Sequence, residues 1–192
     1  EFRRVLFRSW TTQLADEVGR ALGPTALVRF ERGEVTVELL RAEGRHLPPP
    51  GPNALSRWLP RGASAMRRWV VCVAAETPAS EVLAGGTQVV IMTGADEAAV
   101  TSAYLRLKHL ADEATHRGTP LDRVGLVLVG ASAEQSAQAA PRLSDASRSF
   151  LGVEVDVVAR LPRLERADVS ARATYPTSEM PSLPGFLQEL RN

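Results

Sequence analysis

Apolar runs of strand length alternate with segments of helical periodicity from Trp69 onward, and this alternation constrains the fold most strongly. The apolar runs occupy residues 69–73, 88–92, 124–129 and 153–158. Each parallel return of a strand requires a crossover connection, which is usually a helix. The alternation therefore predicts an α/β fold of three layers, in which helices cover both faces of a mostly parallel sheet.

The spacing of apolar residues predicts helices over residues 11–22, 79–83 and 96–115. A further helix is predicted over residues 132–150, which Pro141 should kink or divide. The remaining predictions are two strands at residues 26–30 and 34–40 joined through Arg32 and Gly33, a loop from residue 47 that ends in a short segment around residues 55–59, a short helix at 164–171, a surface segment at 175–184, and an apolar helix at 183–190.

Residues 1–9 do not continue the helical pattern that follows them. Their sequence, EFRRVLFRS, resembles a translated sequencing adapter or cloning scar. Without them the formal net charge changes from +1 to −1. We therefore expect residues 10–192 to form a single domain, which suits a chain of this length.

The composition excludes several kinds of site. The three histidines and Cys72 lack the spacing of a structural zinc site. The histidines do not follow the predicted strands, which argues against a Ser-His-Asp or Cys-His hydrolase. Cys72 lies in an apolar run and is expected to be a buried, unreactive thiol. No segment approaches the length of a membrane-spanning helix.

Open α/β sheets bind ligands at the carboxyl ends of their strands, and few polar residues occupy those positions here. Glu76 and Asp96 could form a pair of catalytic carboxylates at neighbouring strand ends. Asp96 could instead be an ordinary helix N-cap, and this second interpretation is favoured. Lys108 is the only lysine among 23 basic residues, and its position well inside a helix predicts a solvated side chain.

Several segments resemble the MinD/ParA-type P-loop ATPases, most closely their FleN/FlhG-like branch. The strand at 88–93 and the helix containing TSAYLRLK are similar to that family's strand and its T-D-A-Y-x-x-I-K helix. Further similar segments are the strand at 124–129, the SFLGV turn at 149–153, the ARLP segment at 159–162, the Tyr175-Pro176 dipeptide, and TTQLA at 11–15, which matches the helix after the phosphate loop.

The resemblance implies a P-loop NTPase fold, with ATP and Mg²⁺ as cofactors. By family position, Thr11 would lie on the magnesium side and Thr12 on the α-phosphate. Gly130 occupies the place of an asparagine that reads the base, and Pro162, in the segment similar to the family's L-G-x-I-P, is a further position matched to cofactor binding. The family also dimerises around ATP, so a homodimer is a further implication of the resemblance.

Five departures from the family pattern weaken that implication. Arg8, Ser9 and Trp10 stand where a glycine-rich loop and its lysine belong. The strand at 26–30 lacks the switch aspartates unless Glu31 substitutes for one, and the strand at 69–73 carries no acid for Mg²⁺. Gly130 replaces the base-reading asparagine, and Arg163 replaces an aspartate. We therefore expect no catalytic residues and lost or weakened ATP and Mg²⁺ binding.

The favoured function is a non-hydrolysing interaction or regulatory module that helps to position flagella or other surface machinery in a bacterial cytoplasm. One alternative is an active MinD/ParA-type ATPase whose phosphate loop is missing from this chain. Another is an ATPase-like accessory protein of pilus or polysaccharide export. The arginines at 57, 61, 67 and 68 are expected to form a solvated loop rather than a binding site for the phosphates of nucleic acid or lipid. The expected partners are proteins of a surface-machinery system, and nucleic acid is not favoured. The apolar helix at 183–190 is expected to dock on the core rather than on the inner face of the membrane.

Overall fold

The computed structural model describes residues 2–31, 33–44, 46–49, 51, 53–84 and 88–190, with the backbone alone at 2–6, 60, 63 and 64. These residues form two compact units. Unit 1 comprises the chain up to Thr77 together with the residues from Glu165 onward, and unit 2 comprises Pro78–Leu164. The expectation of one domain over residues 10–192 stays a prediction.

Unit 1 is built on a four-stranded mixed sheet in the order β3-β1-β2-β7. Strands β1 and β2 are antiparallel, β3 is parallel to β1, and β7 is antiparallel to β2. The elements of this unit are α1 (Phe2–Leu22), β1 (Thr25–Glu31), β2 (Glu34–Leu40), α2 (Ala54–Ala65), β3 (Arg68–Cys72), β7 (Val169–Pro176), a 3-10 turn (Thr177–Glu179) and α6 (Leu183–Glu189).

The predicted hairpin of β1 and β2 is confirmed. Its two strands pair from Glu31 opposite Glu34 to Thr25 opposite Leu40. Gly33 has a φ of +80°, a left-handed conformation that glycine adopts without steric cost. The turn therefore depends on the residue type that the sequence supplies there.

Helices cover both faces of the unit 1 sheet. On one face, Ala15 of α1 packs against Leu27 and Leu40. On the other, Leu55 and Leu59 of α2 and Phe186 of α6 pack against the opposite side chains of β1, β2 and β7. Leu183, Phe186 and Leu187 are buried, so α6 docks on the core as expected. None of the helices in the described part of the chain is both long and apolar enough to cross a membrane.

Unit 2 is a parallel three-stranded sheet in the order β4-β5-β6 with helical crossovers, consistent with a Rossmann-like arrangement. Its core lies between the sheet and the two long helices, where Leu107 and Leu143 pack against Leu126 and Leu128. The elements are α3 (Ala79–Leu83), β4 (Val90–Thr93), α4 (Glu97–His116), β5 (Arg123–Val129), α5 (Ala133–Leu151) and β6 (Glu154–Leu161).

The α/β class is confirmed, but the described strands form two sheets rather than one. Only unit 2 is wholly parallel, because β2 and β7 run antiparallel to their neighbours in unit 1. Both crossovers of unit 2 proceed in the same direction along β4-β5-β6, so right-handed connections place α4 and α5 on the same face. The prediction that helices cover both faces of the sheet therefore does not hold for α4 and α5, which lie on one face of the unit 2 sheet.

The long helices of unit 2 begin at capping residues. Asp96 accepts a hydrogen bond from the Ala99 backbone N–H at 2.9 Å, which confirms the N-cap interpretation of this carboxylate. Ser132 forms a capping box with Gln135 at the start of α5. Pro141 lies inside α5 without dividing it. Lys108 is exposed on α4, as predicted.

Other segments differ from prediction. Helix α1 begins at Phe2 rather than residue 11, since residues 2–9 contain neither proline nor glycine to stop it. Helix α2 runs from Ala54 to Ala65, longer than the short segment expected there. The helix predicted at 164–171 is wrong, because β7 begins at Val169, where alternate side chains pack against the sheet core. Tyr175, predicted on the surface, is fully buried.

Candidate functional site

A buried polar network lies between α1 and the sheet of unit 1, and it contains both threonines that the sequence singled out. Thr11 and Thr12 are 2% and 8% exposed. They face Arg29 of β1 and Glu38 of β2, which are 4% and 2% exposed. Buried polar groups are stable only when their hydrogen bonds are satisfied, so the partners of each group define this site.

Arg29 and Glu38 form the centre of the network as an ion pair. Arg29 Nη1 lies 3.0 Å from Glu38 Oε1, and Arg29 Nη2 lies 3.2 Å from Glu38 Oε2. Arg172 of β7 approaches the same carboxylate, with Nε 2.7 Å from Glu38 Oε1. Two guanidinium groups therefore surround one carboxylate, which leaves Glu38 without the free basic oxygen that a general base requires.

Both threonine hydroxyls point into this network. The Thr11 hydroxyl donates to the Arg8 carbonyl at 2.9 Å and accepts from Arg29 Nε at 2.9 Å. The Thr12 hydroxyl lies 3.0 Å from the Arg8 carbonyl oxygen and 2.9 Å from Glu38 Oε2, and it accepts from Arg29 Nη2. A hydroxyl has one hydrogen to donate, so both are fully engaged within the protein.

Asp16 extends the polar side of α1 one turn further along the helix. This carboxylate is buried and accepts from Arg41 Nε at 2.8 Å, while Arg20 Nη2 lies 3.0 Å away. The hydrogen bond from Arg41 to Asp16 raises the pKa of Arg41 above its ordinary value, so this cation stays charged. Asp16 therefore connects α1 to the residue that follows β2. Its negative charge is compensated by Arg41 and Arg20.

Cys72 ends β3 beside the network. Desolvation of the thiol raises the pKa of Cys72 to about 11, an effect that the positive charge of Arg29 opposes only in part. A thiol with such a pKa remains protonated at neutral pH and is a poor nucleophile. This agrees with the unreactive thiol expected from the sequence.

The residues of this region do not fit a bound Mg²⁺. Magnesium needs oxygen ligands, usually one or two carboxylates, but Cys72, Val73 and Ala74 follow one another at the end of β3. The Thr11 hydroxyl is occupied by Arg8 and Arg29. Across the described part of the chain, no three His, Cys, Asp or Glu side chains form a group that could hold a metal ion.

Gly130 and Pro162 come together in unit 2. The Gly130 N–H donates to the carbonyl of Leu161, the residue before Pro162, at 2.8 Å. Gly130 has a φ of +64°, so a residue with a side chain would be strained there. The two neighbouring positions lie at the carboxyl ends of β5 and β6, as the sequence predicted, but Gly130 has no side chain with which to read a base.

A separate cavity of about 510 Å³ opens in unit 1 between residues 46–49 and β7. Its lining consists of Leu47, two prolines and two alanines, with His46 and Arg172 as the polar contributors. None of the residues predicted for nucleotide binding contributes to the lining, and Arg172 is the one residue that the lining shares with the buried network described above.

Sequence reasoning missed Arg29 and Glu38. A signal was present, because each is a charged residue in a short, mainly apolar strand, and the antiparallel register places them close to one another. Inward charges of opposite sign on paired strands indicate a buried ion pair. The contribution of Arg172 had no comparable signal, since β7 was not predicted as a strand.

The threonine pair and the Gly130–Pro162 pair thus belong to different units, and no side chain in either pair is arranged for acid–base or nucleophilic chemistry. Comparison of the chain with protein-family models gives no match, and comparison with curated protein sequences gives none either.

Proposed function

We propose that this chain is a degenerate MinD/FleN-like P-loop domain that acts as a non-hydrolysing interaction or regulatory module in the positioning of flagella or other surface machinery. The biological setting rests on the resemblance of the sequence segments quoted above. The absence of turnover rests on the chemistry of the residues at the corresponding positions.

The observation that carries the proposal is the engagement of the two threonine hydroxyls. In a phosphate-binding helix, these groups must be free to meet the ligand. Here Thr11 and Thr12 are buried and bonded to Arg8, Arg29 and Glu38. A nucleotide would have to break a satisfied ionic network to reach them, at a cost of several kcal/mol.

Two further positions support the same conclusion. The end of β3 supplies no carboxylate for Mg²⁺, which normally neutralises the transferred phosphate. At the end of β5, Gly130 offers only backbone groups, and its N–H is already bonded to the Leu161 carbonyl. The proposed action through protein partners and the proposed location in the cytoplasm rest on the resemblance, as the biological setting does.

Nucleotide titration tests the loss of turnover. We expect a fluorescent ATP analogue with Mg²⁺ to show no saturable binding to the 192-residue chain, and we expect no release of phosphate from ATP. An active P-loop ATPase in the same assay serves as the positive control. Saturable binding that Thr11→Val abolishes, with unchanged circular dichroism, would contradict the proposal.

A second experiment tests the interaction function. The natural full-length protein would be cross-linked in its own cells and its partners identified with and without depletion of ATP. We expect one component of a flagellar or secretion base to be recovered equally under both conditions. A partner from a pilus or polysaccharide export system would favour the accessory-protein alternative instead.

One observation favours the active ATPase as a second candidate. Thr11 bonds to Arg29, and Arg29 is paired in register with Cys72, so the threonine lies near the carboxyl ends of the parallel strands β1 and β3. Ligands of α/β sheets bind at such ends. Adding the natural sequence upstream of Trp10 and repeating the titration separates the candidates, since only the ATPase candidate predicts that binding appears.

A further inference from the structure

Arg172 of β7 belongs both to the buried network of unit 1 and to the lining of the cavity beside residues 46–49. Its Nε lies 2.7 Å from Glu38 Oε1, and its side chain is 59% exposed. Within the described part of the chain, Glu38 is its one ion-pair partner, and neither terminal nitrogen has an acceptor. The guanidinium is therefore positioned through Nε, while the edge formed by Nη1 and Nη2 remains available to a ligand.

The charges at the centre of the network do not balance. Arg29 and Arg172 both pair with the single carboxylate of Glu38. Arg29 is buried, and its donors already have Glu38, the two threonine hydroxyls and the Arg8 carbonyl as acceptors. The positive charge that Glu38 does not compensate is therefore presented by Arg172, the more exposed of the two arginines.

The cavity borders the side of β7 that faces away from β2. Ala171 and Ala173 pack with the core clusters on the α2 face of the sheet, whereas Arg172 pairs with Glu38 on the α1 face. All three residues line the cavity, so it is accessible to groups from both faces. Alanine at two alternate positions leaves space that larger side chains would fill. An occupant can therefore contact an apolar wall and Arg172 together.

The opposite wall of the cavity is fixed by contacts within unit 1. The hydroxyl of the fully buried Tyr175 donates to the Pro48 carbonyl at 2.8 Å. Leu47 packs against two core clusters, and proline at 48 and 49 restricts the backbone of this segment. The cavity is therefore preformed, as small-molecule sites usually are.

The composition of the lining indicates the class of ligand. Its charged member is Arg172, its other polar side chain is His46, and no aspartate or glutamate is among the described residues that line it. A guanidinium edge matches the two oxygens of a carboxylate. The remaining five residues are apolar, and a volume of about 510 Å³ suits a small organic molecule. Inorganic phosphate would leave the apolar wall unused.

We propose that this cavity binds a small organic carboxylate with a short apolar chain. The carboxylate pairs with the terminal nitrogens of Arg172, and the chain lies between Leu47 and the alanines of β7. The site goes beyond the proposed function, since none of the residues predicted for nucleotide binding lines it.

The test titrates the 192-residue chain with four probes at neutral pH: hexanoate, 1-hexanol, hexylamine and inorganic phosphate. The first three share one apolar chain and differ in the charge of the head group. Amide chemical shifts in ¹H–¹⁵N spectra report binding at His46, Leu47 and residues 171–173. We expect saturable shifts there with hexanoate at a Kd of about 1 mM, and about fivefold weaker binding of 1-hexanol. Hexylamine and phosphate should give no saturable shifts at these residues.

Two substitutions separate the contribution of the guanidinium from that of the cavity. Arg172→Gln should weaken hexanoate about fivefold and leave 1-hexanol unchanged, because only the carboxylate uses the charge. Ala173→Leu fills the space and should weaken both probes. Arg166→Gln, at an exposed position of the same unit, is the matched control and should change neither affinity. If Arg172→Gln fails to fold, Arg172→Lys keeps the charge without the paired donors and should weaken hexanoate by a smaller factor.

Several outcomes would overturn the proposal. These are the absence of saturable shifts with hexanoate, equal affinity for hexanoate and hexylamine, or an unchanged hexanoate affinity in both Arg172→Gln and Ala173→Leu. Tighter binding of phosphate than of hexanoate would assign the cavity to an inorganic anion and reject the carboxylate. Nucleotide titration reports separately on the proposed function, so a failed hexanoate test without nucleotide binding rejects only this site.

Discussion

Arg29 illustrates how a single buried charge is made tolerable in unit 1. Its guanidinium has Glu38, Thr11, Thr12 and the Arg8 carbonyl as partners, so its donors have acceptors from a helix and a strand. Burying two charges costs several kcal/mol each, and their attraction compensates only when such partners are present. The network therefore fixes how α1 packs on the sheet more than it adds to stability.

Removal of Arg29 should be strongly destabilising. Arg29→Met leaves Arg172 as the one charged partner of the buried Glu38 carboxylate among the described residues, and we expect a loss of about 3 kcal/mol in the free energy of unfolding. Urea denaturation followed by circular dichroism measures it. The double variant Arg29→Met with Glu38→Leu should lose less free energy of unfolding than Arg29→Met alone, because it contains no Glu38 carboxylate to be left buried without the Arg29 cation. Arg166→Met, at an exposed position of the same unit, should be neutral.

Because burial raises the pKa of Cys72, we expect the stability of the folded chain to fall as the pH rises through the alkaline range. Its pKa is about 11 in the folded chain and near 9 when unfolded, so the unfolded chain loses this proton first as pH rises. The contribution of the Cys72 thiol to the free energy of unfolding is fully present below pH 9 and falls by up to about 3 kcal/mol between pH 9 and pH 11. Comparison of wild type with Cys72→Ala at each pH isolates it. A constant difference between the two proteins across this range would show that the thiol is not desolvated.

At the scale of elements, α2 depends on a small residue beneath an aromatic ring. The indole of Trp58 lies over Gly62, where an added Cβ would come within 2.4 Å of ring atoms, and its centroid is 6.3 Å from that of Trp69. Gly62 therefore allows two tryptophans to pack at the base of the helix.

Gly62→Ala should destabilise the chain although alanine is the better helix former. The gain in helix propensity is about 1 kcal/mol, whereas displacement of a packed indole costs about 1–3 kcal/mol. We expect a net loss in thermal unfolding and a changed near-ultraviolet tryptophan spectrum. Gly51→Ala is the matched control, because nothing lies within 4 Å of its added Cβ. A stabilised Gly62→Ala variant would show that the ring moves freely.

Elements with local signals were predictable from the sequence. The bounds of β2 and α3 agree with prediction, and those of α4 differ by one residue at each end, because alternation, helical spacing and Asp96 are all encoded locally. Strand β7 was missed because its small residues give a weak pattern, and it is defined by pairing with β2. Strand pairing over long sequence distances overrides local propensity.

The candidate site was predictable only in part. The sequence identified Thr11 and Thr12 by resemblance, and placed Gly130 and Pro162 at strand ends. It did not indicate that Arg29 would occupy both hydroxyls, because that depends on how α1 rotates against the sheet. The rotation is set by the burial of Ala15 and Asp16, which only the assembled unit determines.

At the scale of the whole molecule, the first turns of α1 contribute to one unit. The Arg8 carbonyl accepts hydrogen bonds from Thr11 and Arg29, and the Thr12 hydroxyl lies 3.0 Å from the same oxygen. The Arg8 guanidinium pairs with Glu31, with Nε 2.8 Å from Oε1. Whatever the origin of residues 1–9, the end of that segment is part of the folded network.

Deletion of residues 1–9 should therefore affect unit 1 selectively. Loss of the Arg8 carbonyl leaves buried donors without an acceptor, at a cost of about 1–3 kcal/mol. We expect faster hydrogen exchange in β1 and β2 and unchanged exchange in β5. The same deletion in an Arg29→Met background should reduce the free energy of unfolding by less, because the Arg29 guanidinium is no longer present as a buried donor without an acceptor. Equal acceleration in both units, or none, would contradict this assignment.

Unit 1 is built from two segments of the chain that are separated by unit 2, and this order has a consequence for synthesis on the ribosome. The β2–β7 pairing joins residues such as Thr36 and Thr174, which lie 138 positions apart along the chain, whereas all of unit 2 is continuous and emerges between the two strands. Unit 2 can therefore fold during translation, while β2 waits for its outer neighbour until β7 has been synthesised. During that interval β2 presents an open edge to its surroundings, so the speed of translation between β2 and β7 would set how much nascent chain is lost to aggregation or proteolysis.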